Sequence, residues 1–206
     1  INGAGSAGNS IYQTELIKTH IINYNPDVII VLSGWNDLSS DYSILKIKAL
    51  WEETCKVASN NKFDIIIFIQ PIAGFGNKNL TLQEKINSLT GEDHNGFQLL
   101  QSRSSYDFMS RELALLNEGC HVIDIRDSFD EITEAVYWDQ GHLNDLGNLI
   151  IADKFHRELD KIYDSRFYYD SKLYRIFSQY NSPSINELVF SYHDRFQRGK
   201  KMTRLI

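Results

Sequence analysis

The chain has 206 residues, of which 42% are hydrophobic and 23% are charged, with a formal net charge of −6 at pH 7. This size and composition fit one well-buried globular domain and are short for two. Residues 165–206 carry eight Lys and Arg against three Asp and Glu, which leaves 13 against 24 in residues 1–164. The excess of acidic residues in 1–164 argues against nucleic acid as the main ligand, and we expect no nucleic-acid partner.

Helical and extended patterns alternate along the first 125 residues. Ser10 can cap a first helix, with Gln13 completing the capping box, and Asn25-Pro26 stops it. The apolar run at 28–32 has no polar interruption, which predicts a strand covered on both faces. The remaining predicted elements are helices at 43–59 and at 102–117 (the latter capped by Gly119), strands at 64–70 and 121–125, and a short helical stretch at 129–135.

Strands that alternate with helices at this spacing predict an α/β domain with a parallel sheet and helices on both faces. In an open parallel sheet, ligands lie beyond the carboxyl ends of the strands. Asn36 follows the first predicted strand, and residues 74–96 follow the second. The latter segment is long and rich in Gly, Asn and Thr, which predicts a lid or binding loop with a short helix near 82–88.

The two cysteines, Cys55 and Cys120, lie far apart in the sequence. Their spacing fits neither a disulfide framework nor a zinc site, and we expect both to be thiols in the core. The longest apolar runs, at 28–32 and 65–69, have the length of strands and are too short to span a bilayer.

The stretch from Tyr137 to Asn148 reads YWDQGHLNDLGN and leads into an apolar helix at 149–155. Asp139 stands three residues before His142, so its carboxylate can hold one ring nitrogen and leave the other to accept a proton. This spacing predicts His142 as a general base that Asp139 orients. Asp145 is expected to cap the helix and His156 to lie on it, so neither is assigned to chemistry.

Two upstream segments give the D-x-x-H spacing a context. They are NGAGSAGNS at residues 2–10 and VLSGWND at residues 31–37. In this order, the three segments resemble the sequence blocks of the SGNH (GDSL-like) hydrolases, a family of serine esterases, over about residues 1–155. The resemblance implies a three-layer, flavodoxin-like fold in which His142 takes the proton of a serine and Asp139 fixes the tautomer of the ring.

The same resemblance implies an oxyanion hole. Asn36 matches the asparagine of the G-x-N-D block, whose amide donates to the developing oxyanion. Gly8 is the choice for the block that donates a backbone N–H, although Gly3 and Gly5 crowd the same loop and leave the alignment open. Asp37 is expected to hydrogen-bond the turn. The side chains of Trp35 and Trp138 are expected to line an acyl or sugar pocket, with packing as the alternative.

The 206 residues contain no Gly-Asp-Ser block, so we expect the nucleophile of the family to lie outside them. The resemblance implies roughly thirty further residues upstream, forming one strand and its crossover and carrying the serine. By the same logic, we expect the first strand of the sheet to be missing. Ser6 within AGSAG offers an alternative, because it looks like the nucleophile elbow of α/β-hydrolases, but an elbow needs a strand before it and only three residues precede AGSAG.

Residues 1–164 are therefore predicted to form the SGNH-like domain, and residues 165–206 a helical C-terminal extension rich in aromatic and basic residues. A basic end on an apolar helix can contact an anionic membrane surface. Packing back on the acidic body is the interpretation that we favour.

The predicted function is hydrolysis of a carboxylic ester through an acyl-serine intermediate. The substrate would be a small-molecule or glycan ester, such as a sugar acetyl or a lipid acyl ester. No metal or organic cofactor is implied. The alternative from a different class is a catalytically inactive SGNH-like binding or interaction module.

Overall fold

The computed structural model describes residues 8–38, 40, 42–89, 99–116 and 119–163. It is an α/β fold with a three-stranded parallel sheet flanked by helices, as the sequence predicted. Ser6, Gly3, Gly5 and the predicted extension at 165–206 lie outside the described residues. The elements in chain order are α1 Ser10–Thr19, a 3-10 helix Ile21–Tyr24, β1 Val28–Ser33, α2 Trp35–Leu38, α3 Ile44–Asn61, β2 Asp64–Ile69, α4 Leu82–Leu89, α5 Leu99–Leu113, β3 Cys120–Asp124 and α6 Asp145–Tyr163.

The described strands lie in the order β1-β2-β3, and both pairs are parallel. Ile30 pairs with Ile66, and Ile67 pairs with Val122. Each crossover between neighbouring strands contains a helix, because parallel strands cannot be joined by a tight hairpin. The carboxyl ends of all three strands therefore meet at one edge of the sheet, where the predicted site residues follow them.

One face of the sheet packs against α1, α3 and α5. Helix α3 lies between the other two and also contacts β2. The buried side chains of this core are Ile17, Ile47, Trp51, Ala58, Tyr106, Met109 and Leu113 from the helices and Ile29, Val31, Ile65, Ile67 and Ile69 from the strands. Each aliphatic side chain removed from water here stabilises the fold by about 1.5–3 kcal/mol.

The prediction that the first strand is covered on both faces is wrong. In β1, Ile29 and Val31 are buried, but Ile30 and Leu32 are 43% and 37% exposed. Their partners on β2, Ile66 and Phe68, are fully buried on that same face. An uninterrupted apolar run thus lies at the edge of the described sheet with one face partly exposed, and periodicity alone cannot distinguish such a strand from a central one.

Two helix caps differ from the predicted ones by one residue. The side chain of Asn9, and not of Ser10, caps α1 by accepting from the backbone N–H of Tyr12. Asn144, and not Asp145, accepts from the backbone N–H of Gly147 at the start of α6. In both places an Asn precedes the predicted residue, and Asn is as good a cap as Ser or Asp.

Two further local predictions are wrong. Residues 129–131 lie in a turn, and residues 132–135 form no helix. Helix α5 ends at Leu113, so Gly119 does not cap it. Gly119 has a φ of 89° and begins the approach to β3, where a Cβ would lie 2.7 Å from the carbonyl oxygen of Cys55. Glycine is required there because the chain passes directly over α3.

Cys55 and Cys120 form a disulfide, which corrects the prediction of two free thiols. The bond joins α3 to the first residue of β3 across a sequence separation of 65. Both residues are buried, as predicted, at 1% and 8% exposure. Sequence spacing could not reveal the pairing, because only the packing of α3 on the sheet brings the two residues together.

The chain divides into two compact units, Ile1–Ile151 and Ala152–Ile206. The sheet and every predicted site residue belong to the first unit. Of the second unit the structure describes residues 152–163, the later part of α6, in which Arg157 pairs with Asp153 one turn away. No helix in the described part of the chain is both long and apolar enough to cross a membrane. The predicted boundary at residue 164 stays a prediction.

Candidate active site

The predicted base and its orienting acid meet at the carboxyl edge of the sheet. Asp139 Oδ2 lies 2.8 Å from His142 Nδ1. The other carboxylate oxygen, Oδ1, accepts from the backbone N–H groups of Gly141 and His142, at 2.9 and 2.8 Å. A three-residue spacing places the ring above the carboxylate only if the chain turns back at once, and these two backbone bonds close that turn.

Residues 137–143 form what we call the His142 turn. Its two ends run antiparallel, with a bridge between Tyr137 and Leu143. The backbone N–H of Trp138 donates to the carbonyl of His142 at 2.8 Å. The turn is therefore a small closed hairpin, and the position of its tip is set by the backbone.

Partial burial by itself raises the pKa of Asp139, but hydrogen bonds from the His142 backbone and ring and from the Gly141 N–H outweigh it. The pKa of this carboxyl consequently lies below its ordinary value. An ionised carboxylate can only accept, so Nδ1 of His142 carries the proton and Nε2 is left as the basic nitrogen. The side chains of His142 and Asp139 are 69% and 45% exposed, which leaves the ring open to solvent and to an incoming group.

Trp35, in α2, supports the ring of His142. The two rings meet edge to face with centroids 4.8 Å apart. A Cβ at Gly141 would lie 2.4 Å from the Trp35 ring, so only glycine allows the turn to approach this closely. Trp138 is 67% exposed. Of the two tryptophans predicted to line a pocket, one contacts the predicted base and the other is largely exposed to solvent.

The loop after β2 fastens the tip of the His142 turn. Gln70 Nε2 donates to the carbonyl of Gly141 at 3.1 Å, and the backbone N–H of Ala73 donates to the carbonyl of Gln140 at 2.9 Å. The hydroxyl of the buried Tyr106 donates to the Gln70 carbonyl in turn. Residues at the end of β2 thereby fix the His142 turn, which follows β3 in the chain.

Asn36 and Gly8, the predicted oxyanion donors, are in direct contact. Asn36 Nδ2 donates to the Gly8 carbonyl at 3.3 Å. An amide nitrogen carries two hydrogens, and this contact uses one of them. Asn36 is the neighbour of Trp35, which touches His142. The structure thus links the three predicted blocks through Gly8, Asn36, Trp35 and His142, while the catalytic roles remain predictions.

A buried polar cluster, the Ser10 corner, lies behind Asn36 and consists of Ser10, Ser33, Asp37 and Trp51. Asp37 accepts from the Ser10 N–H at 2.8 Å, from the Ser10 hydroxyl at 2.9 Å and from the Ser33 hydroxyl at 3.0 Å. Trp51 Nε1 donates to the Ser10 hydroxyl at 2.8 Å. Burial raises the pKa of Asp37 despite these bonds.

Sequence reasoning expected Asp37 to hold the turn but missed Ser10, Ser33 and Trp51 as its partners. It also missed Glu84, a fully buried carboxylate in α4 that contacts the base of the His142 turn. The signal for Glu84 was present, because Thr81-x-x-Glu84 is a capping-box pattern inside the segment interpreted as a lid. The backbone N–H of Thr81 donates to Glu84 Oε2, and the N–H of Glu84 donates to Thr81 Oγ1.

The end of β3 adds a second polar group to this edge. Arg126 donates to Asp124 and to Asp107, and its guanidinium lies 5.3 Å from the centre of the Tyr106 ring. Bonds to the two carboxylates outweigh burial and raise the pKa of Arg126 above its ordinary value. Within the described ranges, no cluster of three or more His, Cys, Asp or Glu residues could hold a metal ion.

Comparison with known proteins gives one kind of match. No family model and no curated protein sequence matches the chain. Among solved structures, an acetyl xylan esterase matches with a TM-score of 0.54 at 17% identity, over 74% of this chain and 76% of that one. The acetylxylan esterase Axe2 from Geobacillus stearothermophilus matches with a TM-score of 0.51 at 16% identity, over 74% and 68%.

A third solved structure is an α/β hydrolase from the metagenome of Lake Arreo, Spain. It matches with a TM-score of 0.50 at 15% identity, over 72% of this chain and 66% of that one. At such identities the similarity establishes the fold alone, an α/β architecture that this chain shares with these solved structures.

Proposed function

We propose that this chain forms the base and oxyanion side of a serine esterase of the SGNH type. The observation that supports it best is the hydrogen bond between Asp139 and the His142 ring at the carboxyl edge of the sheet. The ester-hydrolase fold of the solved structures supports the same assignment. The nucleophilic serine would come from a Gly-Asp-Ser block upstream of Ile1, as the resemblance to the family implies.

In the proposed reaction, His142 Nε2 takes the proton of the serine hydroxyl as its oxygen attacks the ester carbonyl carbon. Asp139 stays ionised and stabilises the imidazolium that forms. The negative oxygen of the tetrahedral intermediate accepts from the Asn36 amide and the Gly8 backbone N–H, and one such donor is worth about 100- to 1,000-fold in rate. The imidazolium then protonates the leaving alcohol, and water releases the acid from the acyl-serine in the same way.

We propose an acetylated sugar as the substrate class. Two of the solved structures named above are acetyl xylan esterases. The backbone N–H of Trp138 donates to the His142 carbonyl, and the Trp138 side chain is 67% exposed. An exposed indole offers a flat apolar surface against which a sugar ring can stack. Trp35 would form the wall of the acyl side, because its ring edge already contacts His142.

One observation favours a second candidate function. The triplet Gly-Asp-Ser occurs nowhere in the 206 residues. A chain with the oxyanion and base residues but no nucleophile would bind an ester or a glycan without cleaving it. The second candidate is therefore a catalytically inactive binding or interaction module.

Covalent labelling with a fluorophosphonate probe tests these alternatives. The 206-residue chain is expected to remain unlabelled, whereas a longer form that includes the upstream segment is expected to label. His142→Ala in the longer form should abolish labelling, and His121→Ala, which removes an exposed histidine of β3, should leave it intact. Failure of the longer form to label would favour the binding module. Labelling of the short chain at Ser6 would favour the α/β-hydrolase elbow instead.

A further inference from the structure

Glu84 is a buried carboxylate whose bonds go to the chain just before the His142 turn. Its side chain is fully buried. Oε1 accepts from the backbone N–H groups of Val136 and Tyr137, at 2.8 and 3.3 Å. Tyr137 is the first residue of the turn. A helix from the segment after β2 thus grips the entrance to the turn that carries Asp139 and His142.

Lys78 completes this contact and is also buried, with 4% of its side chain exposed. Its ammonium lies 3.4 Å from Glu84 Oε2 and donates to the carbonyls of Ile132 and Glu134, at 2.9 and 2.8 Å. We call Lys78, Thr81 and Glu84 the Glu84 clamp. Within the described residues, the hydrogen bonds between the clamp and other segments are made with the backbone of residues 132–137.

Burying the charges of Lys78 and Glu84 costs free energy because both lose their hydration, and only a full set of hydrogen bonds offsets that cost. Burial alone would raise the pKa of Glu84, but the Val136 and Thr81 N–H groups and the charge of Lys78 lower it below its ordinary value. Glu84 is therefore ionised at neutral pH, and ionised acceptors make the stronger bonds to N–H groups.

The grip extends across the turn to its other end. The backbone N–H of Asn144 donates to the carbonyl of Val136 at 2.9 Å, and Asn144 Nδ2 donates to the carbonyl of Ala135 at 2.7 Å. A Cβ at Gly147 would lie 2.7 Å from the same Val136 carbonyl, so α6 begins in direct contact with this segment. Val136 is therefore held on both sides. Its N–H donates to Glu84, and its carbonyl accepts from Asn144, which follows the His142 turn.

We propose that Glu84 and Lys78 are positioning residues for the His142 turn: by fixing Val136 and Tyr137 they hold the Asp139 carboxylate against Nδ1 of the ring. This inference rests on the proposed function for its catalytic meaning. The segment that the sequence identifies as a lid then has a second role, because its helix α4 helps to position His142. A purely structural ion pair would stabilise the fold without governing the state of the ring.

The test reads the ring directly and does not depend on esterase activity. In the 206-residue chain at about pH 9, where histidine rings are ordinarily neutral, ¹⁵N NMR of His142 reports whether the proton sits on Nδ1. The wild-type chain is expected to show the Nδ1–H form. Glu84→Ala should move the ring toward the tautomer mixture of free imidazole, and Glu84→Gln should lie between, because its one carbonyl oxygen can still accept from Val136.

Glu112→Gln is the matched control. Glu112, in α5, forms an ion pair with Lys48, in α3, at 2.9 Å. The substitution therefore removes a carboxylate from an ion pair that does not contact the His142 turn. This variant should lower stability while the ring signals stay as in the wild type. If folded Glu84→Ala and Glu84→Gln also keep the wild-type ring signals, the proposal is overturned. If only Glu84→Gln folds, its own ring signals decide.

Labelling of the longer form separates this proposal from the proposed function. A displaced turn should slow labelling of Glu84→Ala about 100-fold, as expected for a misplacement of about 1 Å. If the ring signals change in Glu84→Ala but the wild-type longer form never labels, the positioning role stands and the esterase assignment fails. If the wild type labels and the Glu84 variants label at the same rate, the positioning role fails alone.

Discussion

The Ser10 corner and the His142 turn place carboxylates at the same edge of the sheet in opposite ways. Asp37 is buried and receives three hydrogen bonds, two of them from the hydroxyls of Ser10 and Ser33. Asp139 is 45% exposed and receives its bonds from the His142 ring and from the backbone of the turn. The pKa of Asp37 is raised by its burial, whereas the pKa of Asp139 is lowered.

The difference follows from what each carboxylate supports. The Ser10 corner has to hold α1 and the end of β1 in one geometry, so its polar groups are taken out of water and lose their freedom. The His142 turn has to present a base that can gain and lose a proton, which requires contact with solvent and with the substrate. Hydrogen bonds from Gln70, Ala73 and the Glu84 clamp, all in other segments of the chain, hold the His142 turn in place.

The largest effect is expected from Asp37→Ala. It leaves the Ser10 N–H and the hydroxyls of Ser10 and Ser33 buried without their acceptor, which should cost about 3 kcal/mol of unfolding free energy. Urea denaturation at pH 7 measures it. Asp37→Asn is the matched control and should stay within about 1 kcal/mol of the wild type, because the hydroxyls can rotate to accept from the amide. Equal losses in the two variants would contradict this explanation.

Gly141→Ala should come next, at about 2 kcal/mol, because the new methyl group overlaps the Trp35 ring. The measurement is urea unfolding followed by tryptophan fluorescence. In a Trp35→Leu background the same substitution should cost clearly less, since the overlapping ring atoms are gone. Additive losses in the double variant would show that the turn is strained for another reason.

The two carboxylates should respond to pH in opposite senses. The raised folded pKa of Asp37 means that the native state binds its proton more tightly, so Asp37→Asn should gain stability relative to the wild type as pH rises above about 4. The lowered pKa of Asp139 contributes stability that is present above about pH 4 and lost as pH falls through the folded pKa. Asp139→Asn should therefore fall behind the wild type as pH rises from about 2 to 5, by no more than about 1 kcal/mol because solvent screens the group.

Urea unfolding across pH 2–8 measures both variants. Difference curves of the same sign for Asp37→Asn and Asp139→Asn would remove the contrast between the buried and the exposed carboxylate.

The smallest effect on stability is expected from His142→Ala. The ring is mostly exposed, so its loss should change the unfolding free energy by no more than about 0.5 kcal/mol. The same substitution should abolish labelling in the longer form of the protein. A loss of several kcal/mol would mean that the turn depends on the ring for its fold, and the division between the rigid corner and the open turn would fail.

Local sequence patterns predicted the elements well, because each element is largely set by its own residues. The strands at 28–32 and 64–70 and the helix at 43–59 agree with β1, β2 and α3 to within one or two residues. The hydrogen bond between Asp139 and His142 was also predictable, since both partners lie in one short turn. Where the cap was displaced by one residue, at Asn9 and Asn144, two good capping residues stood side by side.

What sequence reasoning missed depends on contacts between distant segments. The exposed face of β1 follows from the place of the strand in the sheet, and Ile30 and Leu32 look the same in a central strand. The grip of Glu84 on Val136 spans 52 residues, and no local pattern connects the two. A capping box predicts that Glu84 accepts a hydrogen bond at the start of its own helix. It does not predict that the second carboxylate oxygen accepts from Val136.

The disulfide between Cys55 and Cys120 has a consequence for the timing of maturation. It closes a loop of sequence separation 65, which should restrict the unfolded chain enough to stabilise the fold by about 4 kcal/mol. Both sulfur-bearing residues are almost fully buried, so dissolved thiols or oxidants reach them only when the chain opens. In the folded molecule, exchange between the thiol and disulfide states is consequently limited by how often the chain opens around α3 and β3.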